Sequence, residues 1–511
     1  MCVKDISQHK IAIMNETQPL LGISRHPTSS APTSSSSSSS YRLRPSHQRI
    51  RVLKVAMLLL VVGIIATILY VYAPTYHSNI KVTSFSKKSS ATKPNIVFIL
   101  ADDMGYNSIS EDVTPFMSSL AEKSITLSNY YSQETCTPAR AALLTGRYPL
   151  TIGVQFYEQA AANKGGMPEG ETTIADVLQD EGYTTYMMGK WNLGNASPYQ
   201  LPTARGFDYY LGFLDAYNHY WSKLNPDFPD YMDFMYSDKS CYYMYDGDDV
   251  QEYSTTIFQN AAVAAIAGHD FEVSPMFLYM AVQVCIYCQK WHIDSLDKQS
   301  LPHLRRYLLR YVPLPTLSPL CPLHTQAARA PFDDLDKDYK TGMDDTYLED
   351  IGQSDVQKFI GKKVDGEIQK QYFKSIAVMD KAVENIYNAL DDKGVLDNSY
   401  ILFASDNGGC PTAGGRNYPL RGTKGSLFEG GVHVEAFIFS PLLSSKLQGS
   451  TYDNLFHVSD WFPTILSTAG IAYVRYGTYA IDGVSHYDAL ISDGKSPRET
   501  LLYNYYYDPS R

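Results

Sequence analysis

Cysteine is scarce: seven in 511 residues, too few for a disulfide scaffold in so long a chain. Basic residues are outnumbered, 43 Lys and Arg against 54 Asp and Glu, giving a net charge of −11 and a pI near 5.6. Neutralising phosphates needs a basic surface, so nucleic-acid binding is excluded. Charged residues amount to 19% against 44% hydrophobic, which excludes bulk disorder. No internal repeat is evident. The length is ample for a substantial buried core.

The charge deficit is uneven. Residues 1–54 hold eight Lys and Arg against two acids, a net of +6, which leaves −17 for the rest. This segment is low in complexity, with serine throughout Ser34–Ser40, and is expected to be a disordered tail. Residues 55–72 form the one long apolar run, with Thr67 its only clearly polar member. As a helix it spans about 27 Å, near the hydrocarbon thickness of a bilayer. The long preceding tail and Pro74 just beyond argue against a cleaved signal peptide, so the run is expected to be an uncleaved signal anchor. Arg42, Arg44, Arg49, Arg51 and Lys54 on its N-terminal side outweigh Lys81, Lys87 and Lys88 beyond it. That bias puts the tail in the cytosol and the remainder in the lumen or outside, a single-pass type II arrangement with residues 73–93 as linker. Glu16-Thr-Gln-Pro-Leu20-Leu21 resembles an acidic dileucine sorting signal for endosomes, lysosomes or a vacuole, and Asn195-Ala-Ser197 is a luminal glycosylation sequon.

From residue 94 onward, apolar runs alternate with helical periods. Asn95–Ala101, Met276–Val282 and Tyr400–Ala404 read as strands buried on both faces. Thr114-Pro115 opens a helix, Thr173 caps another, and Ile376, Met379, Val383, Ile386 and Leu390 form a helical stripe closed near Gly394. Such β–α alternation indicates an α/β fold with a large, mainly parallel sheet flanked by helices.

Two strands end in hard oxygen ligands, Asp102-Asp103 and Asp406-Asn407. Sites in open α/β sheets lie beyond the carboxyl ends of strands. Adjacent carboxylates repel unless a cation sits between them, and this donor set suits Ca²⁺ or Mg²⁺. Each pair alone could equally cap a turn. Pro138 suits the first turn of a helix, so Cys136 stands at a helix N-terminus, where unpaired N–H groups favour an anion and Arg140 adds charge. An activated cysteine, an anion site and an inert buried thiol all remain open on the residues alone.

Cys136-x-Pro138-x-Arg140 with Leu144-Thr-Gly-Arg147 resembles the sulfatase signature, whose cysteine is oxidised to formylglycine in the endoplasmic reticulum. Ala101-Asp-Asp-Met-Gly105, Gly189-Lys-Trp-Asn-Leu-Gly194, Arg205-Gly-Phe-Asp208, Asp406-Asn-Gly-Gly409 and the run Leu420 to Gly431 follow in sulfatase order. They are most similar to the arylsulfatase B group, over roughly residues 94–283 and 332–508. The resemblance implies an alkaline-phosphatase-like sulfatase domain over 94–511 and a calcium-dependent hydrolase of sulfated sugars or aryl sulfates. It also implies a formylglycine-generating enzyme as partner during biosynthesis. Asp102, Asp103, Asp406, Asn407 and the modified Cys136 would bind Ca²⁺. One hydroxyl of the hydrated aldehyde would attack sulfur, and the second would allow the resulting ester to collapse, which a serine could not. Lys190 and Lys424 would grip sulfate oxygens and Arg140 would steady the diol. The loop with Tyr217, His219 and Tyr220 would shape the substrate pocket.

Three departures stand out. The family's Gly-Lys-Trp-His-Leu-Gly has Asn192 in place of histidine, and an amide cannot accept a proton near neutral pH. A histidine expected soon after Gln283 is missing; residues 284–326 read as an atypical insertion or retained intron, with His324 the nearest substitute acid. Cys285-x-x-Cys288, His292 and Cys321 within it form only a weak zinc pattern. Lastly, the chain stops at Arg511, so the family's small C-terminal subdomain is expected to be largely missing. The alternatives to an active sulfatase are an impaired, sulfatase-like binder of sulfated glycans and, less favoured for want of histidines near the carboxylates, a phosphodiesterase of the wider superfamily.

Overall fold

A computed structural model describes residues 93–155, 165–226, 228–240, 242–244, 252–284, 347–364, 366–472, 480–492 and 494–503. The tail 1–54, the run 55–72 and nearly all of the linker 73–93 lie outside the described residues. So does the segment 284–326 after Val284, with Cys285, Cys288, His292, Cys321 and His324. Among the described residues, no helix is long and apolar enough to cross a membrane.

Ten strands form one sheet: β1 (Asn95–Asp102), β2 (Ile125–Leu127), β3 (Thr184–Lys190), β4 (Tyr209–Phe213), β5 (Met235–Asp238), β6 (Tyr242–Met244), β7 (Met276–Gln283), β8 (Ser399–Ser405), β9 (Ala436–Phe439) and β10 (Thr451–Tyr452). Their order is β10-β2-β9-β8-β1-β7-β3-β4-β5-β6. The middle run β8-β1-β7-β3-β4 is parallel, as is the outer pair β10-β2. The pairs β2-β9, β9-β8, β4-β5 and β5-β6 are antiparallel. The sheet is therefore mixed: its long central strands are parallel, as expected, and antiparallel pairings appear towards both edges. Its antiparallel neighbours in sequence are joined without a crossover helix, β5 to β6 by a short turn and β4 to β5 and β8 to β9 by the long stretches 214–234 and 406–435; hydrophobic runs carry no sign of strand direction.

The helices that cover it include α1 (Pro115–Ala121), α2 (Cys136–Thr145), α3 (Ile174–Asp180), α4 (Ser254–Gly268), α5 (Glu367–Asp392) and α6 (Trp461–Thr468). All eight residues of β1 are buried, and alternate side chains serve opposite faces. Ile96, Phe98 and Leu100 join the layer with α2, α3 and α6, whereas Val97, Ile99 and Ala101 join that with α1, α4 and α5. Each fully buried large apolar side chain contributes about 1.5–3 kcal/mol, so this double layer can tolerate a charged cluster at one end.

The helix starts differ from expectation in one instructive case. Thr173 does cap α3, in a reciprocal box with Asp176. Thr114 makes no side-chain cap of α1. Asp380 of α5 does so instead, accepting from Phe116 N at 3.2 Å and Met117 N at 2.7 Å. A cap supplied from 264 residues away leaves no local trace in the sequence.

Candidate metal and anion centre

Strand register brings the motifs together. Asp102 lies opposite Gln283 of β7, and Ala101 lies opposite Ser405 of β8, so Asp102-Asp103 and Asp406-Asn407 leave the sheet side by side. Gly189 pairs with Ala281, which puts Lys190 at the same carboxyl end. Asp103 takes φ +63, a left-handed conformation that aspartate tolerates better than most residues, and its N–H donates to Asp406 Oδ1 at 3.0 Å.

The loop carrying Lys424 is tied down at both ends. Lys424 N donates to Gly409 O at 3.2 Å, and Gly425 N donates to Glu134 O at 2.7 Å, beside the start of α2. Asn417 clamps the same turn by exchanging hydrogen bonds with Gly409 in both directions, each 2.8 Å. Gly408 passes Gly430 so closely that a Cβ would lie 1.9 Å from Gly430 O, which explains why both motifs are glycine-rich.

Cys136 begins α2 and is fully buried. Its Sγ lies 3.6 Å from Asp103 Oδ1 and accepts from Lys424 Nζ at 3.2 Å. Lys424 Nζ also lies 2.7 Å from Asp103 Oδ1 and 2.8 Å from Oδ2, and Lys190 Nζ donates to Asp102 Oδ1 at 2.7 Å. Arg140, one turn along α2, reaches Asp102 Oδ1, Asp406 Oδ2 and Lys190 O, each at 2.9 Å. Asn407 Nδ2 donates to Asp103 Oδ1 at 2.7 Å. Thus three carboxylates face three cations, nearly out of contact with water.

Burial pushes the Asp102 carboxyl up, but Lys190, Arg140 and Lys424 outweigh it and hold the group well below the usual carboxylate range. Asp406 is instead pushed up, by burial and by repulsion from Asp102. Burial, then Asp102, pushes the Cys136 thiol well above its ordinary value. Of the readings left open for Cys136, burial therefore favours a buried thiol over an activated thiolate in the unmodified residue. The described bonds of Arg140 go to two carboxylates and a carbonyl and hold the acids in place.

The centre fits a divalent cation. Donor atoms of Asp102, Asp103, Cys136 and Asp406 lie within 4.8 Å of one another, the spread allowed around one Ca²⁺ with ligands at about 2.3–2.6 Å. Asn407 Oδ1 is buried without a hydrogen-bond partner and provides a further hard donor.

Asn192 is buried at φ +57, and its Oδ1 accepts from Thr137 Oγ at 2.9 Å. Thr137 and Asn417 escaped sequence reasoning, since a lone threonine inside a matched motif, or a lone asparagine between two, carries no signal of its own. His219 sits after Asn218, whose carbonyl accepts from Gln283 Nε2 at 3.1 Å, at the end of β7; its own N–H donates to Leu224 O. Tyr220 is packed in the interior with one face stacked on Tyr253 at 4.6 Å.

A mixed αβα sheet that gathers carboxylates, a thiol and two lysines beyond its strand ends defines a centre for a divalent cation and an oxyanion. The sequence model of the Sulfatase family matches residues 94–471, and the chain belongs to that family. It is 29% identical over 421 residues to arylsulfatase J of Mus musculus, covering 81% of this chain but only 59% of the mouse protein. Against arylsulfatase A of Homo sapiens the identity is 27% over 424 residues, covering 81% of this chain and 71% of the human one. Among solved structures, that of Ps i-CgsB is 25% identical with a TM-score of 0.57, covering 79% of this chain and 77% of that one.

Proposed function

We propose that this chain hydrolyses sulfate esters, breaking the ester S–O bond with water to give an alcohol or phenol and sulfate. The observation that carries the reading is the convergence of Cys136, Asp102, Asp103, Asp406, Lys190 and Lys424 within hydrogen-bond reach in one buried centre. Family membership and the relatives' names support an aryl sulfate as test substrate.

In this reading, Asp102, Asp103, Asp406, Asn407 and residue 136 hold Ca²⁺, which when bound supplies Lewis acidity toward the sulfate oxygens. Oxidation of Cys136 to formylglycine supplies an aldehyde hydrate, the source of an attacking hydroxyl that a protonated buried thiol is not. Lys190 and Lys424 neutralise charge on the transferring sulfate. Arg140 fixes the carboxylates that define the pocket, and His219 borders the side where the ester's organic portion enters. His324 is retained only as a proposed proton donor.

Two measurements test this together. Mass spectrometry of the chain made in formylglycine-forming cells reads conversion of Cys136, and release of sulfate from a chromogenic aryl sulfate with calcium reads turnover, with Cys136→Ala as blank. A thiol left intact in a competent secretory pathway, or no release above the blank, sinks the proposal.

Asn192 favours a second reading. Held by Thr137 and unable to take a proton, Asn192 cannot itself serve as the base for sulfate release, and a slow, sulfated-glycan-binding protein is that second reading. Catalytic turnover beyond one sulfate per enzyme argues against it.

The type II signal-anchor topology, with the catalytic domain luminal, is part of the same proposal and rests on residues 42–72 and their charge bias. Protease protection of the catalytic domain in sealed microsomes supports it; digestion there does not.

A further inference from the structure

Two groups in the centre are claimed from both sides. Lys190 Nζ donates to Asp102 Oδ1 at 2.7 Å, and Lys424 Nζ sits 2.7 Å from Asp103 Oδ1. Asp102 and Asp103 also belong to the four residues whose donor atoms cluster within 4.8 Å, as cation ligands would. A lone pair directed at a divalent ion is not available to an ammonium in the same place, and neighbouring cations repel. Arg140 also sits on Asp102 Oδ1 and on Asp406 Oδ2, but its guanidinium is fully buried and further anchored on Lys190 O, so it is the fixed charge of the three.

The charges make the consequence definite. Asp102, Asp103 and Asp406 are balanced by Arg140, Lys190 and Lys424. An anion arriving alone must draw a lysine from its carboxylate and leave a buried acid uncompensated, which is strongly unfavourable. A divalent cation supplies that missing charge and leaves the lysines to the anion.

We propose that Lys190 and Lys424 are exchangeable counter-charges, bound to Asp102 and Asp103 until a divalent cation takes those oxygens and thereafter turned to sulfate. Cation and sulfate then bind as a coupled pair. The inference rests on the sulfate-ester reading of this centre given above. Coupling between two ligands is reciprocal, so calcium raises sulfate affinity by the factor by which sulfate raises calcium affinity.

Isothermal titration of the full chain with calcium chloride and sodium sulfate, each alone and with the other saturating, measures that factor without turnover. The expected value is about tenfold or more, within the usual range of such couplings. Lys424→Met, at a site 16% exposed, should hold or tighten calcium binding and bring the factor close to one. Lys190→Met is the second variant; being buried, it is informative only alongside a folded circular-dichroism spectrum, and Lys424→Met decides alone if it fails to fold. Weaker calcium binding in Lys424→Met, a factor near one in the unaltered chain, or no calcium binding at all overturns the inference. Calcium binding without coupling overturns this inference only, whereas absent ester turnover with intact coupling overturns only the activity.

Discussion

Arg140→Met is the sharpest test of how the centre is held together. The guanidinium is fully buried and makes three bonds of 2.9 Å, to Asp102, Asp406 and the Lys190 carbonyl. Methionine keeps much of the volume and removes the charge, leaving three buried acids with two cations. Breaking one side of a buried ionic network costs about 3–5 kcal/mol, because the remaining charge stays uncompensated. Equilibrium urea unfolding should show a loss of that size, against no measurable change for Lys358→Met in an exposed pair. Calcium adds a second, sharper signature. At about 100 times its Kd, a ligand that binds only the folded chain adds about 2.7 kcal/mol. The variant's centre has one positive charge fewer, so calcium should bind it more tightly and stabilise it more than the unaltered protein. A loss below about 1 kcal/mol, the range of an ordinary hydrogen bond, would refute the reasoning. So would a calcium-induced shift no larger than that of the unaltered chain.

Asn192→His should fit its left-handed backbone, which histidine tolerates, and raise kcat by about 100-fold, with a new limb in the pH profile near an imidazole pKa. Steady-state sulfate release checks this, and an unchanged kcat counts against a missing base as the limiting defect. Cys136→Ser should release no more than a single sulfate per enzyme molecule in a burst assay; repeated turnover would end the formylglycine argument. Asp460 has its carboxyl held down to about 2: burial opposes this, but hydrogen bonds and charge from His486 and Arg498 prevail. Because the folded value lies below the ordinary 3.8, its stabilisation of about 2 kcal/mol is complete above pH 4 and is lost as pH falls toward 2. Asp460→Asn should therefore flatten the acid limb of a stability-against-pH curve measured by urea unfolding.

The strands that carry the centre were legible because they are buried on both faces: Asn95–Ala101, Met276–Val282 and Tyr400–Ala404 were each found to within a residue or two. The convergence of Asp102, Asp103 and Asp406 was legible for a related reason, since both acidic pairs directly follow such runs. Strand direction was legible only in the centre: the expected mainly parallel sheet carries antiparallel pairings towards its edges. Direction depends on where a connection returns, and that information is spread over long loops such as 406–435. The protonation of Cys136 was also hidden. A helix N-terminus alone lowers a thiol's pKa, and only the fold reveals that burial and Asp102 override it. The bonds of Arg140 to Asp102 and Asp406 were not legible either, because they depend on strands whose neighbourhood a linear motif does not encode.

All ten residues of α2 are buried, and Cys136 has no exposed surface. A protein catalyst needs its target segment laid open in a cleft, and the folded chain never offers this one. Under the formylglycine reading proposed above, oxidation of residue 136 would therefore have to run ahead of folding, which would give the newly made chain a deadline. Substitutions that hasten closure of α2 against the sheet would yield more folded protein with less of it matured, and slow folding would be an advantage here.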